Sequence, residues 1–401
     1  MTKRRVFVRG VGAYTPLGAT WPAAAAELAT GATAIRPITR FDATGFPCRS
    51  AAAIDAPFPD EDRRLPYTRL AAREAWEMAR LTAEPARLGV FLGAESGRCH
   101  WTTALGLARA GRGPDNTFDH GRFAREAPAF ADRIDASVIS PSAVAVALAV
   151  EYGALGPVET ISLACASGSA AIVEAARAIR LGQCDVALCG GVGADVDPLM
   201  LAGFGLLGIL SPRGISCPFD AHRDGFIIGE GAAMLVLSAE RGDARVELAG
   251  VGRSLDAHHL TAPDPDGDGA ARAMIAALHD AGDPQIGYVQ AHGTSTPLND
   301  RIEVRAIKRA LGDRVATAHV SSSKGALGHW VAGAGAVGAL YAWHAVSEGV
   351  VLPTAGLEHP DPTCDVAHVM GRARSKDVDA ALANAFAFGG ANSCLVMRRA
   401  T

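Results

Sequence analysis

The chain has 401 residues, carries 38 basic against 42 acidic side chains for a net charge of −4, and is 49% hydrophobic, 20% charged and 6% aromatic. This is ordinary globular composition and excludes disordered, collagen-like and low-complexity classes. A single hydrophobic core stops growing at about 250 to 300 residues, so two cores or one duplicated core are expected, and the interspersed charges argue against a nucleic-acid binder, which shows a basic domain or stripe.

At the N-terminus Lys3, Arg4 and Arg5 resemble the basic start of a secretory leader, but Arg9 breaks the apolar run after Val6, Phe7 and Val8, which reads as a strand. The segment Val6-Phe-Val-Arg-Gly-Val-Gly12 recurs as Val246-Glu-Leu-Ala-Gly-Val-Gly252. Two related halves, 1–245 and 246–401, are expected, each a strand running into a Gly turn and then alternating helix and strand. The clearest βα unit runs from a strand at Val158 to Ala164 into a helix with Ile172, Ala175, Ala176 and Ile179 on one face, ended by Gly182. Gly203-Phe204-Gly205-Leu-Leu-Gly208 matches a nucleotide-binding GxGxxG by letter, but it neither follows a strand nor opens a long helix. Asp264, Asp266 and Asp268 imitate a calcium loop whose twelfth position is Ile275 instead of Glu, so a turn-rich loop is expected.

A second βα unit is expected from a strand at Val315 to Val320, through Ser321 to Lys324, into an Ala/Gly helix ending near Val346. Gly325 to Ser347 lack Asp, Glu, Lys and Arg, yet their Gly/Ala content and two histidines fit a buried helix better than a membrane span. The eight cysteines form no CxxC pair, so neither a zinc ribbon nor a disulfide framework is indicated and a reducing cytoplasm is expected.

Chemistry gathers in four segments. Cys165 sits at a strand-to-helix junction among small neighbours, where the N-terminal N–H groups and the helix dipole are expected to bring its pKa below the free value of about 8.5. Its competing reading is a buried structural cysteine. Tyr288-Val-Gln-Ala-His292 is an apolar strand ending in a histidine and a hydroxyl-rich loop, and Ser323-Lys324-Gly-Ala-Leu-Gly-His329 puts a cation and an imidazole at a helix mouth. Asn384-Ala-Phe-Ala-Phe388-Gly-Gly-Ala-Asn392 is a Gly-flanked aromatic loop able to expose backbone N–H groups. One histidine alone is usually a core residue; two histidines, a lysine and a cap cysteine at element ends suggest a catalytic site.

These motifs resemble the β-ketoacyl-acyl carrier protein synthases, the Cys-His-His condensing enzymes of the thiolase superfamily, over nearly the whole chain. The resemblance is carried by Val8-Arg-Gly-Val-Gly-Ala-Tyr-Thr-Pro16-Leu-Gly18, Ala164-Cys165-Ala-Ser-Gly168, Pro218 to Gly231, Asp256-Ala-His-His259-Leu-Thr261, His292-Gly-Thr-Ser-Thr-Pro, Lys324 with His329, and the Phe388 loop. It implies a thiolase-like α/β fold of two pseudo-repeated halves in α-β-α-β-α layers, and a decarboxylative Claisen condensation in fatty-acid or polyketide synthesis. In it Cys165 would carry the acyl group as a thioester, and the Cys165 and Phe388 N–H groups would form the oxyanion hole. His292 and His329 would hold the malonyl thioester from their Nε2 sides, with Lys324 orienting His329. Thr294, Thr296, His259 and Thr261 would bind the phosphopantetheine arm, and Phe204, Phe226 and Phe388 would line the acyl path. No metal or cofactor of its own is implied, since the phosphopantetheine arrives on the acyl carrier protein.

The family's partners would be that carrier protein and a second subunit, identical or ketosynthase-like, with neither nucleic acid nor membrane. Arg63, Arg64 and Arg213 are candidates for docking the carrier. The chain departs from the family at Gly338, where a Glu commonly balances the lysine, so Lys324 needs another partner, with Glu303 the candidate. Ala387 and Ala391 replace the usual Gly and Thr of the gate loop. A non-catalytic partner that sets chain length would lack the nucleophile, a thiolase would need a second cysteine where only Cys394 lies nearby, and a type III synthase would carry Asn for one histidine.

Overall fold

The computed structural model describes residues 4–56 and 62–401, so Lys3 lies outside the described residues. Eleven strands form one sheet: β1 (Phe7–Tyr14), β2 (Leu88–Gly93), β3 (Val158–Ile161), β4 (Val186–Ala194), β5 (Glu230–Ser238), β6 (Val246–Leu255), β7 (Tyr288–Gln290), β8 (His319–Ser321), β9 (Ala367–His368), β10 (Ala380–Phe386) and β11 (Ala391–Arg399). Their spatial order is β9-β8-β7-β10-β11-β6-β1-β5-β4-β2-β3. From the β1/β6 seam outward the two wings are alike. β1-β5-β4-β2-β3 and β6-β11-β10-β7-β8 both run antiparallel, antiparallel, parallel, parallel.

The duplicated glycines have the same job in each wing. A Cβ on Gly12 would lie 2.2 Å from the Ala71 carbonyl of α1 (Arg64–Ala79), and one on Gly252 would lie 2.1 Å from the Ala273 carbonyl of α3 (Asp268–Asp280). Only glycine lets an outer helix seat this closely on its strand. Between the wings run α2 (Ser167–Arg180) and α5 (Ala334–Glu348), each packed on strands of both. With α1 outside one wing and α3 with α4 (Pro297–Leu311) outside the other, the layers are α-β-α-β-α.

The central helices touch at their first turns. A Cβ on Gly168 would meet the Ala332 carbonyl and Ala336 nitrogen at 2.9 Å, and one on Gly335 would meet the Ser169 nitrogen at 2.6 Å. The alanines and glycines of α5 follow from this, because nearly every position is buried between strands and helix.

Several local readings change. The first crossover strand is shorter than expected, ending at Ile161, and Gly312–Thr317 is a 3-10 turn, leaving only His319–Ser321 extended. The uncharged Gly325 to Ser347 run is broken into a short helix, Lys324–Leu327, a turn and α5, and among the described residues no helix is long and apolar enough to cross a membrane. Gly203 and Gly205 lie inside the helix Pro198–Leu206, which is incompatible with a phosphate-binding turn. The Asp264 carboxylate accepts the Asp266 and Asp268 N–H groups at 3.2 and 3.1 Å, closing the turn that starts α3. All eight cysteines are free.

A methyl group at the helix crossing should be felt throughout the protein. Gly335→Ala is expected to cost about 1–3 kcal/mol by overpacking, read as a lower urea midpoint at unchanged slope. Gly203→Ala, where no atom lies within 4 Å of the new methyl, should be neutral or slightly stabilising. Equal midpoints for Gly335→Ala and wild type would show that the crossing tolerates separation.

Candidate active site

Cys165 sits in the turn from β3 to α2, 8% exposed, just after Ala164 at φ 45°. A non-glycine residue in that region costs about 1–3 kcal/mol and persists only where its surroundings impose it. Beside it the chain is closely seated: a Cβ on Gly93 would lie 2.3 Å from the Gly168 nitrogen, so the start of α2 rests directly on the end of β2. The backbone N–H groups of Phe388 and of Cys165 itself are directed at the sulfur, and the Lys324 charge acts on it from the other wing. The expected low thiol pKa is not what this site produces: burial pushes it up to about 11, outweighing Lys324 and both N–H groups. A helix N-terminus lowers a thiol pKa only when the thiolate is not also stripped of water.

His292 follows β7 in a loop gripped by α4. The Glu303 carboxylate accepts the His292 and Gly293 N–H groups, both at 2.7 Å, and Asp300, one turn earlier, accepts the Thr294 N–H at 3.0 Å. Lys324 donates to the His292 carbonyl and lies 3.4 Å from His292 Nδ1. His329 is held by the Gly225-to-Gly231 segment, its N–H bonded to the Ile227 carbonyl at 2.7 Å and its carbonyl accepting the Gly229 N–H at 3.0 Å. Its Nδ1 accepts the Val331 N–H at 3.1 Å. Both Nδ1 atoms therefore face donors, and the neutral rings carry their protons on Nε2. The ring centroids are 5.7 Å apart. Burial first, then the Lys324 charge, holds both imidazoles well below the usual histidine range.

Lys324 has no carboxylate within ion-pair distance among the described residues. Its direct partner is His292, and the expected Glu303 partnership is a through-space attraction that partly offsets the lowering of the ammonium pKa by burial. Glu303 spends its own bonds on backbone and on Asn384 at 3.1 Å, while burial pushes its carboxyl up. The space that a side chain at Gly338 would enter faces the Gln290 side chain at 3.4 Å.

Cys165, His292 and His329 open on one cavity of about 420 Å³. Thr294, Thr296, His259, Thr261, Phe204, Phe226 and Phe388 also line it, whereas Lys324 stands behind the histidines. The Thr294 and Thr296 hydroxyls are 2.9 Å apart, and His259 Nδ1 accepts the Thr261 and Ala262 N–H groups, both at 3.1 Å. Phe226 stacks edge-on between Phe204 and His329, with centroids at 5.5 and 5.1 Å. Phe388 occupies the turn between β10 and β11, followed by Gly389 and Gly390 at φ 84° and 78°. That turn is tied by Ala387 N–H to the Ala391 carbonyl at 2.8 Å and by Gly389 N–H to the Leu260 carbonyl at 2.7 Å. Cys394 does not line the cavity; it is buried in β11, bonded to Asn384 at 3.3 Å, which removes the thiolase reading.

Two of the three docking arginines are corrected. Arg64 is buried, bonded to Asp62 and to the Glu95 and Val138 carbonyls. Arg63 is half-buried against Ile54, Tyr67 and Glu230. Arg213 remains at the surface, paired with Asp224 at 2.8 Å. Asp300 was not legible as a site residue, although an acid three residues before Glu303 at a helix start is the pattern that captures N–H groups of a preceding loop.

The N-terminal domain of the β-ketoacyl synthases matches residues 3–242 and the C-terminal domain residues 245–358. The chain is 37% identical to the 3-oxoacyl-[acyl-carrier-protein] synthase 2 of Synechocystis sp. and 35% identical to that of Coxiella burnetii, covering 100% of this chain and 99% of each relative. Among solved structures it resembles a type II polyketide ketosynthase bound to a hexaketide and in complex with its acyl carrier protein (TM-score 0.86, 29% identity, 100% of both chains). It also resembles the ishigamide ketosynthase/chain length factor (TM-score 0.84, 32% identity, 100% of both chains). With a thiol under two N–H groups, two Nε2-protonated imidazoles and full-length relatives of this kind, the chain belongs to the β-ketoacyl synthase family.

Proposed function

We propose that this chain condenses an acyl group held on Cys165 with malonyl-acyl carrier protein, losing CO₂ and giving β-ketoacyl-acyl carrier protein, in fatty-acid or type II polyketide synthesis. The observation that carries the reading is the shared cavity in which the Cys165 sulfur lies under the Phe388 and Cys165 N–H groups while His292 and His329 present Nε2–H. The half 1–245 supplies the nucleophile and 246–401 the histidines and Lys324.

In the first half-reaction the sulfur attacks the acyl thioester, the two N–H groups stabilise the tetrahedral oxyanion, and the carrier thiol leaves with the proton that Cys165 gives up. The resting thiol is protonated, so that proton must pass from sulfur to the leaving carrier thiolate within the step; the imidazoles, already protonated on Nε2 toward the cavity, act there as donors. In the second, His292 and His329 donate to the malonyl thioester oxygen, the C–CO₂ bond breaks, and the enolate carbon attacks the acyl carbon. Collapse expels Cys165, which takes up a proton. Lys324 holds His292 directly. Thr294, Thr296, His259 and Thr261 bind the phosphopantetheine arm of the incoming carrier, Phe204, Phe226 and Phe388 border the acyl path, and the chain needs no metal or cofactor of its own. Arg213 is the docking arginine that its exposure supports. Retention of nucleophile and histidines in one cavity favours this enzyme over a chain-length-setting partner. Eight free thiols suit a reducing cytoplasm.

Pairing with a second subunit, identical or ketosynthase-like, is part of the proposal. Among the described residues β3 bonds only to β2, and beside that edge Val150, Leu155 and Val158 are exposed at 77, 78 and 38%. An apolar edge of this kind is normally covered. Light scattering should find a dimer of the chain alone or with a related subunit, and a stable, active monomer would refute the pairing.

Intact-mass analysis after incubation with acyl-carrier protein should find one acyl group, on Cys165, and none on Cys165→Ala; acyl mass on that variant would sink the assignment. His292→Ala and His329→Ala should still load acyl groups but lose two to three orders of magnitude in malonyl decarboxylation, since one oxyanion donor contributes about 2.7 to 4 kcal/mol. Because both histidine pKa values lie well below 6.5, the neutral rings persist as the pH falls, and decarboxylation should stay level from about pH 7.5 to 6. A fall centred on the ordinary histidine pKa would contradict neutral, buried donors.

A further inference from the structure

Glu95 lies just beyond β2, behind the nucleophile turn, and does not line the cavity that Cys165 shares with the histidines. It borders instead a smaller cavity of about 100 Å³ together with Arg98, Asp195 and Asp197. Its carboxylate accepts the Ser162 hydroxyl at 2.8 Å and faces the Ser167 hydroxyl at 3.3 Å. These two serines stand on either side of the turn that presents Cys165. Ser167 Oγ also accepts the Leu163 N–H at 2.8 Å and lies 2.6 Å from the Ala164 carbonyl, so its single proton is shared between that carbonyl and Glu95. One carboxylate thus spans residues 162–167, including Ala164 in its left-handed conformation.

We infer that Glu95 is a positioning residue of the condensation, latching the two sides of the strained nucleophile turn through Ser162 and Ser167 and so fixing where the Cys165 sulfur points. The inference rests on Cys165 being the nucleophile. The charge is on the unhelpful side for ionising a thiol: Glu95 raises the Cys165 pKa, against Lys324 and the Phe388 and Cys165 N–H groups, with His292 and His329 across the cavity. Around Glu95 stand Asp195 with its partner Arg98 and, on its carbonyl, the Arg64 guanidinium. A group that opposes thiolate formation yet bridges both ends of the turn serves geometry.

That combination separates the role from a purely structural one. In E95Q the amide can still accept from Ser162 and donate to Ser167 Oγ while the charge is gone. Acyl transfer from acyl-carrier protein at neutral pH should stay within about three-fold of wild type, and the pH midpoint for iodoacetamide alkylation of Cys165, followed by peptide mass, should move acid by roughly half a unit or more. In E95A the same acid shift should come with acyl transfer slowed roughly ten- to hundred-fold, a more reactive thiol in a worse-placed turn. S162A, which cuts one side of the latch at an exposed position, should slow acyl transfer without moving the alkylation midpoint, and it stands in for E95A if that variant folds poorly. Wild-type acyl transfer in both E95A and S162A would overturn the positioning role, and an unmoved alkylation midpoint in E95Q would overturn the proximity of charge to sulfur. Acyl mass on C165A protein would instead remove the nucleophile reading beneath the inference.

Discussion

The architecture depends on one close approach, the contact between the first turns of α2 and α5. Gly168 lies against the backbone of Ala332 and Ala336, and Gly335 against that of Ser169, so the two buried helices meet where any side chain would hold them apart. Each helix begins just after chemistry-bearing residues, Cys165 before one, Lys324 and His329 before the other. Bringing the helix starts together therefore brings Cys165 and the two histidines into one cavity, although they come from different wings. The β1/β6 seam and the glycines under the outer helices make the wings alike enough to present their central helices symmetrically.

Within that cavity burial decides the charge states. Removing water opposes the thiolate, the imidazolium and the ammonium alike, and the fixed N–H groups and Lys324 recover only part of this for the sulfur. The outcome suits a condensing site better than a preformed thiolate would. Neutral imidazoles can donate to an oxygen that becomes an enolate, and N–H groups aimed at the sulfur also face the place where an oxyanion forms, without reorganising when it does. A single cation behind the histidines supplies positive potential without itself occupying the cavity.

Much of this is legible in the sequence itself. The repeat of Val6 to Gly12 at Val246 to Gly252 pointed to paired wings because backbone-to-backbone packing leaves glycine as its only trace. Cys165, His292, His329 and the Phe388 turn were legible because each sits at a strand or helix end, where sequence punctuation is strongest. What was hidden is tertiary. The pKa of Cys165 depends on burial by the opposite wing, so the local dipole argument gave the wrong direction. Arg63 and Arg64 read as surface charge because nothing nearby in sequence shows that Glu230 and the distant Glu95 and Val138 carbonyls enclose them. Glu303 was visible as a nearby acid, but its bonds go to backbone N–H groups, and Lys324 turned out to lean on His292.

The two wings solve the same local problem with the same chemistry. A catalytic side chain on a sharp turn leaves backbone N–H groups and strained dihedrals that helix or sheet cannot satisfy. On the histidine side, Asp300 and Glu303 of α4 take three consecutive N–H groups of the His292 loop. On the Cys165 side Glu95 accepts the Ser162 hydroxyl and faces the Ser167 hydroxyl. Carboxylates suit this because each offers two oxygens and can bind two donors at once, where a neutral acceptor would secure them less strongly. The accompanying negative charge is tolerable at His292, where Lys324 stands close by, and costly at Cys165, where it opposes ionisation. The nucleophile turn therefore keeps Glu95 at arm's length, with hydroxyls interposed, while the histidine loop takes its carboxylates directly on the backbone.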